Sequence, residues 1–324
     1  MTRTVLESKT KTVTIGFDEP FCVIGERINP SGRAKLNAEL EAGDFSTVEA
    51  DALAQVACGA QVLDVNSGAV FKNKMAEDPR YADNNFSEPP LMKELIQRVQ
   101  AVTDVPLCID SSVTGAIEAA LEVVEGRPLI NSTTGESEKM EAILPLCAKH
   151  KLPVVAISND EAGISEDPDV RFEVARKIVQ RAADHGVPAH DIVVDPLVMP
   201  VGAMATAGRQ VFTLVRRLRE ELGVNTTCGA SNISFGLPNR HGINAAFLPM
   251  AIGAGMTSAI MNPVRPVEME AVRAANFLMD HDANGAAWIG FSRVLDAVKE
   301  GASFPEASKS AASAGRSGRR RRRG

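Results

Sequence analysis

The sequence predicts a single (β/α)₈ barrel, and three observations carry that reading. Eight short apolar runs recur along the 324 residues, each followed by a segment with helical periodicity, which is how successive βα units of a parallel sheet read. The runs lack polar alternation, as strands buried on both faces do. Eight such units can close on themselves, and closure removes the two edges that the alternative, an open doubly wound sheet, leaves exposed. A barrel of this kind commonly fills about 250 residues as one domain.

Residues 1–20 include the alternating TVTIGF and are expected to form a short strand or hairpin that plugs the bottom of the barrel. The eight strands are expected at 21–25, 61–65, 106–110, 128–131, 153–157, 192–195, 227–231 and 257–261. The clearest helix lies in DPDVRFEVARKIVQRAADHG. There Val170, Val174 and Ile178 repeat at i+4, Asp167 or Asp169 can cap the start, and Gly186 stops it. The connection at 66–90 exceeds the usual length of about 2–6 residues, and such loops tend to be functional or mobile. The expected organisation is an N-terminal extension at 1–20, the barrel at 21–300 and a flexible Arg-rich tail at 301–324 ending in AASAGRSGRRRRRG.

The formal charge of −6 hides a split. Six of the 35 cations and none of the 41 acids fall in residues 316–324, so the preceding chain carries 29 cations against 41 acids, a net −12. An acidic body argues against nucleic-acid binding, which rests on phosphate neutralisation by clustered Lys and Arg. No apolar run reaches the roughly 18 residues of a membrane helix, and the N-terminus lacks a signal peptide's apolar centre. A cytoplasmic protein without membrane association is expected. Cys22, Cys58, Cys108, Cys147 and Cys228 form no C-x-x-C pair and are read as small hydrophobes, not zinc ligands. The five histidines, His150, His185, His190, His241 and His281, are read as surface or helix-end residues.

In a (β/α)₈ enzyme the active site forms at the C-terminal ends of the strands. Seven of the eight strand ends carry polar groups. They are Glu26, Arg27 and Asn29 in GERIN, Asp64 and Asn66 in LDVN, Asp110 in CIDSS, Asn131 in LINSTTGE, Ser158, Asn159 and Asp160 in ISND, Asp195 in VVDP, and Asn232, Ser234, Asn239 and Arg240 in ASNISFGLPNR. Each also suits the N-cap of the helix that follows. Capping explains less well why carboxylates and carboxamides converge on one mouth without a matching set of His, Cys or Lys. Such a mouth suits a flat heterocycle recognised by paired donors and acceptors better than a metal. A pterin fits, because a carboxylate can accept from its 2-amino group and N3–H together.

GERINPSGR at 25–33, LDVNSG at 63–68, CIDSS at 108–112, INSTTGE at 130–136, VDPLVMP at 194–200 and SNISFGLPNR at 231–240 follow one another in order, each at a strand end. Through them the sequence resembles the methyltetrahydrofolate:corrinoid methyltransferases, which include the folate domain of cobalamin-dependent methionine synthase and are distant relatives of dihydropteroate synthase. The resemblance implies that Asp110, Asn131 and Asp195 hold the pterin with Asp64 and Asn66 nearby, and that Asn232 stands beside N5. Arg240, with Asn239, would meet the glutamate tail of the folate or support its loop. The implied substrate is tetrahydrofolate or 5-methyltetrahydrofolate, with no tightly bound metal. No D-x-H-x-x-G corrinoid signature is present, so cobalamin would arrive on a partner corrinoid-binding protein; a homodimer is the family-level expectation. The stretch 73–90 and the loop NDEAGI at 159–164 depart from the family pattern. Competing readings are a dihydropteroate synthase-like enzyme and a non-catalytic folate-binding protein. Strand seven lacks the Ser-Arg-Lys cluster of the former, and IMNPVRP at 260–266 lacks its Arg-x-His.

Overall fold

The computed structural model of the chain describes residues 2–311. The chain runs β1 (Arg3–Glu7), β2 (Thr12–Gly16), β3 (Cys22–Ile28), α1 (Ala34–Glu41), α2 (Ser46–Cys58), β4 (Val62–Asn66), α3 (Lys72–Glu77), α4 (Asn84–Val102), β5 (Leu107–Asp110) and α5 (Thr114–Leu121). There follow β6 (Leu129–Thr134), α6 (Ser137–His150), β7 (Val154–Ile157), α7 (Pro168–Asp184), β8 (Ile192–Asp195) and α8 (Ala207–Arg217). The last elements are β9 (Asn225–Thr226), α9 (Arg240–Ala254), β10 (Ser258–Met261), α10 (Pro266–Leu278) and α11 (Ala286–Lys299). Strands β3 to β10 form one parallel sheet in chain order, with β10 beside β3. A parallel bridge between Gly229 and Ile260 joins the last two strands and closes the barrel.

Strand side chains alternate, so one set fills the barrel and the other meets the helices. The inward set comprises Cys22, Ile24, Val62, Cys108, Leu129, Val155 and Val193, each at most 1% exposed. Leu6 and Ile15 of the antiparallel β1–β2 hairpin join that cluster at 0% exposure, so the hairpin is the expected plug. It is pinned polar group to polar group: Asn225 Nδ2 donates to Thr4 Oγ1 and to Ile15 O, both at 2.9 Å. The outer set packs on the helices in two further clusters, one under α2, α4 to α7 and one under α8 to α11. All five cysteines are free and buried, and burial alone pushes the Cys22 thiol up to about 12. No described helix is long and apolar enough to cross a membrane.

Four expectations need correction. The seventh strand is regular only at Asn225–Thr226, before the expected 227–231, and Ala230–Ser234 is a 3₁₀ turn. The reason is side-chain substitution in the ladder: Thr226 N donates to Thr257 Oγ1, while the hydroxyls of Thr257 and Ser258 both donate to Thr226 O at 2.9 Å. Second, the first strand continues past Gly25 to Ile28 through a register shift. Gln55 Oε1 takes the Arg27 N–H at 2.9 Å and stands 2.5 Å from where a Gly25 Cβ would lie, so the bulge needs glycine there.

Third, the long connection after strand two is not an open loop. It holds α3, a 3₁₀ turn at Pro79–Ala82 and the first turns of α4. Phe71, Tyr81 and Phe86 meet edge to face at 5.6 and 5.3 Å and give it a small core of its own. Fourth, part of the segment assigned to a tail packs on the barrel: residues 304–311 are helical, and Phe304 and Ala307 are each 5% exposed. The arginine run itself lies outside the described residues. On α7, Asp167 caps through the Asp169 N–H at 2.8 Å and Gly186 takes φ +85°, both as expected. Val174 and Ile178 are buried as expected, but at the start of the stripe Val170 is 45% exposed, whereas Arg171 is 1% exposed.

Candidate functional site

Parallel pairing in register sets Asn66, Asp110 and Asn131 side by side across β4, β5 and β6. Asn66 Nδ2 donates to Asp110 Oδ2 at 2.8 Å, and Asn131 Nδ2 donates to Asp64 Oδ1 at 3.3 Å. Asp64 is 2% exposed and Asn131 8%. Burial pushes the Asp64 carboxyl well above the carboxylate range, and the charge of Asp110 pushes it further. Asp110 is also raised by burial, but the Asn66 amide and a hydrogen bond from Asp64 favour its charged form. Burial and mutual repulsion thus both work against two charges on the pair. The quartet presents two carboxyl groups and two carboxamides.

Asp195 ends β8 beside Ile157 of β7. Burial lifts its carboxyl to about 6, opposed by the Leu197 N–H, which donates at 2.8 Å, and by the charge of Arg171. At neutral pH it is a carboxylate. Among the described residues no hydrogen bond joins Asp195 or Asn232 to the quartet. Asn232 is exposed on the 3₁₀ turn after β9, and its Nδ2 lies 2.9 Å from where a Gly229 Cβ would stand. The absence of that methyl lets the carboxamide fold over the turn. Arg240 Nη2 donates to Ser231 O at 2.6 Å and Nε to Ser234 Oγ at 3.1 Å, placing the guanidinium on the loop. Asn239 takes φ +50° where α9 begins and makes no side-chain cap.

The capping alternative fails for Asp64, Asp110 and Asn131: the helices that follow their strands are preceded by Phe71, Val113 and Glu136, none with a side-chain cap. The two acids of NDEAGI bind backbone N–H groups instead, though neither caps the helix that follows. Asp160 closes its own turn on the Ala162 N–H, and Glu161 accepts the Ser137 N–H at the start of α6, which lowers its carboxyl to about 2. Among the described residues no three His, Cys, Asp or Glu side chains gather to hold a metal ion.

Two residues of the site, Glu88 and Arg171, were not singled out from sequence, and a third, Glu26, was named only as a polar strand-end group. Glu26 ends the regular part of β3 and receives the Ser231 hydroxyl at 3.2 Å on both oxygens, one residue before Asn232. Burial lifts it to about 7, the Ser231 hydrogen bond works against that, and the nearby Glu268 charge adds to it. Its place in GERIN was the available signal. Glu88 of α4 accepts from Ser111 Oγ at 2.7 Å and stands near Asp110; it lies within the long 66–90 connection, whose length was the only signal. Arg171 was hidden because helical periodicity gave the buried face to its neighbour Val170.

The comparisons agree with this geometry. The family model for pterin binding enzymes matches residues 25–262. A methylcorrinoid:tetrahydrofolate methyltransferase from Eubacterium limosum is 29% identical over 263 residues, covering 80% of this chain and 92% of that protein. A methionine synthase from Mycobacterium tuberculosis is 28% identical over 268 residues, 79% of this chain but 21% of that much longer protein. The dihydropteroate synthase of Xanthomonas albilineans, solved with 4-aminobenzoic acid, superposes with a TM-score of 0.60 at 20% identity, covering 87% of this chain and 99% of that one. The Yersinia pestis dihydropteroate synthase gives 0.57 at 18% identity, with coverages of 86% and 99%. These two likenesses bear on the fold alone. With a barrel closed in chain order, a carboxylate and carboxamide mouth, and a family match over most of its length, the chain belongs to the pterin binding enzymes.

Proposed function

We propose that the chain moves a methyl group between N5 of methyltetrahydrofolate and the cobalt of a corrinoid carried by a separate protein, in one-carbon metabolism. The observation that carries this is the set of carboxyl and carboxamide groups that the parallel register gathers at the strand ends. A heterocycle edge with two adjacent N–H donors needs a carboxylate, and Asp195 is one at neutral pH. Ring acceptors need donors, which the second N–H of Asn66 Nδ2 and of Asn131 Nδ2 can supply. The resemblance to the Eubacterium limosum protein, along nearly its full length, supports the methyl-transfer direction of this reading over pterin chemistry at large.

Bound corrinoid would supply the cobalt that accepts or donates the methyl group. The protein's task is the amine: expelling N5 as an anion is prohibitively unfavourable, so N5 must carry a proton or a strong hydrogen bond when the methyl leaves. Asn232 has no proton to give at accessible pH. Its carbonyl oxygen can accept from protonated N5, or hold a water that brings the proton. A corrinoid-binding partner, a homodimer and a cytoplasmic location belong to the same proposal.

The test mixes the protein anaerobically with cob(I)alamin and methyltetrahydrofolate and follows the cob(I)alamin band. Conversion to methylcobalamin is expected, with Asn232→Ala lowering the rate by about 10²–10³ and Asp110→Ala weakening folate binding. Absence of folate binding removes the reading. Turnover of p-aminobenzoate with a pterin pyrophosphate replaces it with the dihydropteroate synthase-like one.

A further inference from the structure

Arg171 is the bulkiest side chain among the fully buried residues, 1% exposed on the inner face of α7. A charge so placed is expected to meet a carboxylate. Instead Nη1 donates to Pro196 O at 3.0 Å and to Leu197 O at 2.9 Å, and Nη2 donates to Gln210 Oε1 at 2.8 Å. Gln210 is itself held by its Nε2, which donates to Thr206 Oγ1 at 3.1 Å. The guanidinium thus spans from α7 to the connection between β8 and α8.

The two carbonyls it grips follow directly on Asp195. Between them and Asp195 the chain makes a turn in which Leu197 takes φ +60°, the left-handed region that a leucine enters only under constraint. That conformation turns the Leu197 N–H back onto Asp195 Oδ1 at 2.8 Å. Leu197 is therefore fastened at both ends, its carbonyl by Arg171 and its N–H by Asp195. The Cys228 thiol across β9 is held well above its ordinary range by burial and then by the Asp195 charge, so it is neutral. Asp167, which caps α7, bears on Arg171. Among the described residues, Arg171 is the cation that bears on Asp195.

We propose that Arg171 is a positioning residue for the pterin site: it locks the 195–197 turn through two backbone carbonyls, and its buried charge keeps Asp195 ionised to receive the pterin's paired donors. This rests on the reading of Asp195 as a pterin ligand. Burial has lifted Asp195 to about 6, so the charge matters at working pH.

The test is the dissociation constant of tetrahydrofolate between pH 5 and 8.5 for wild type, Arg171→Met, Arg171→Lys and Asp195→Asn, with the melting temperature of each. In wild type, affinity is expected to fall as pH drops through about 6. Arg171→Met should shift that midpoint upward by about one unit, a roughly twofold loss at pH 7 that grows toward tenfold near pH 5 and vanishes by pH 8.5. Arg171→Lys should restore the midpoint but not the full affinity, since an ammonium cannot fork two carbonyls as a guanidinium does. Arg171→Met added to Asp195→Asn should cost little more than Asp195→Asn alone. If Arg171→Met fails to fold, Gln210→Leu, which frees one end of the guanidinium, should shift the midpoint the same way by less. A wild-type pH profile in the folded variant, or full additivity with Asp195→Asn, overturns the role of Arg171 alone. Wild-type affinity in Asp195→Asn overturns the ligand assignment and this inference with it.

Discussion

Glu26→Gln should make the protein more stable at pH 8 and leave it unchanged at pH 5. The wild-type carboxyl titrates near 7 in the folded chain, against 4.5 as its ordinary value, because burial disfavours the charge. The folded state therefore holds a proton that the unfolded chain releases. Stability contributed by that proton is fully present below about 4.5, declines as pH rises and is gone above about 7. The full shift corresponds to about 3 kcal/mol, and partial exposure of the mouth to water cuts this to about 1–2 kcal/mol. Glutamine keeps the acceptor for the Ser231 hydroxyl, bonded at 3.2 Å, but never ionises. Thermal melts of both proteins at pH 5, 6, 7 and 8 should show curves that coincide at the acid end. They should then diverge to a difference of roughly 2–5 °C at pH 8. Parallel curves, or a wild type that is the more stable at pH 8, would refute the argument that burial dominates at this carboxyl.

Three further outcomes are expected. Leu6→Ala opens a void under the barrel among side chains that are almost fully buried, and urea unfolding should show a loss of about 2–5 kcal/mol. Gly229 has φ −72°, so alanine suits its backbone, yet the added methyl would stand 2.9 Å from Asn232 Nδ2. Gly229→Ala should slow methyl transfer by about tenfold or more while tetrahydrofolate affinity, measured by calorimetry, changes little. Deleting residues 316–324 should leave the methyl-transfer rate with cob(I)alamin unchanged, because the acidic body makes the mouth without them; a large loss would show that the arginines serve the reaction.

Much of the architecture was legible because the signals involved are local. A strand buried on both faces must be apolar throughout, and a polar residue at its end stands where the chain leaves the core. Asp64, Asp110, Asn131 and Asp195 were therefore legible as strand-end residues, and so was the hairpin through its alternation. Asp167 and Gly186 marked the ends of α7 for the same reason, since caps depend on a few neighbouring residues.

What stayed hidden depends on groups far apart in sequence. The shortness of β9 comes from hydroxyls on Thr257 and Ser258, some thirty residues away, which occupy its backbone groups. Periodicity shows that α7 has a buried stripe but leaves its first turn to the partner it packs on. That partner is the 196–197 turn, whose carbonyls draw in Arg171 and leave Val170 in solvent. Residues 304–311 read as the beginning of a tail because their apolar content is modest, and only the groove beside α11 shows where Phe304 and Ala307 go. Protonation was likewise beyond the sequence. Asp64 and Asp110 lie 46 residues apart, and nothing local says that burial beside one another raises both carboxyls; the parallel register that brings them together does. Which chemical groups line the mouth is thus a property of the chain, written in its strand ends. Their charges and orientations are properties of the closed barrel, because desolvation and hydrogen bonding exist only once distant residues meet.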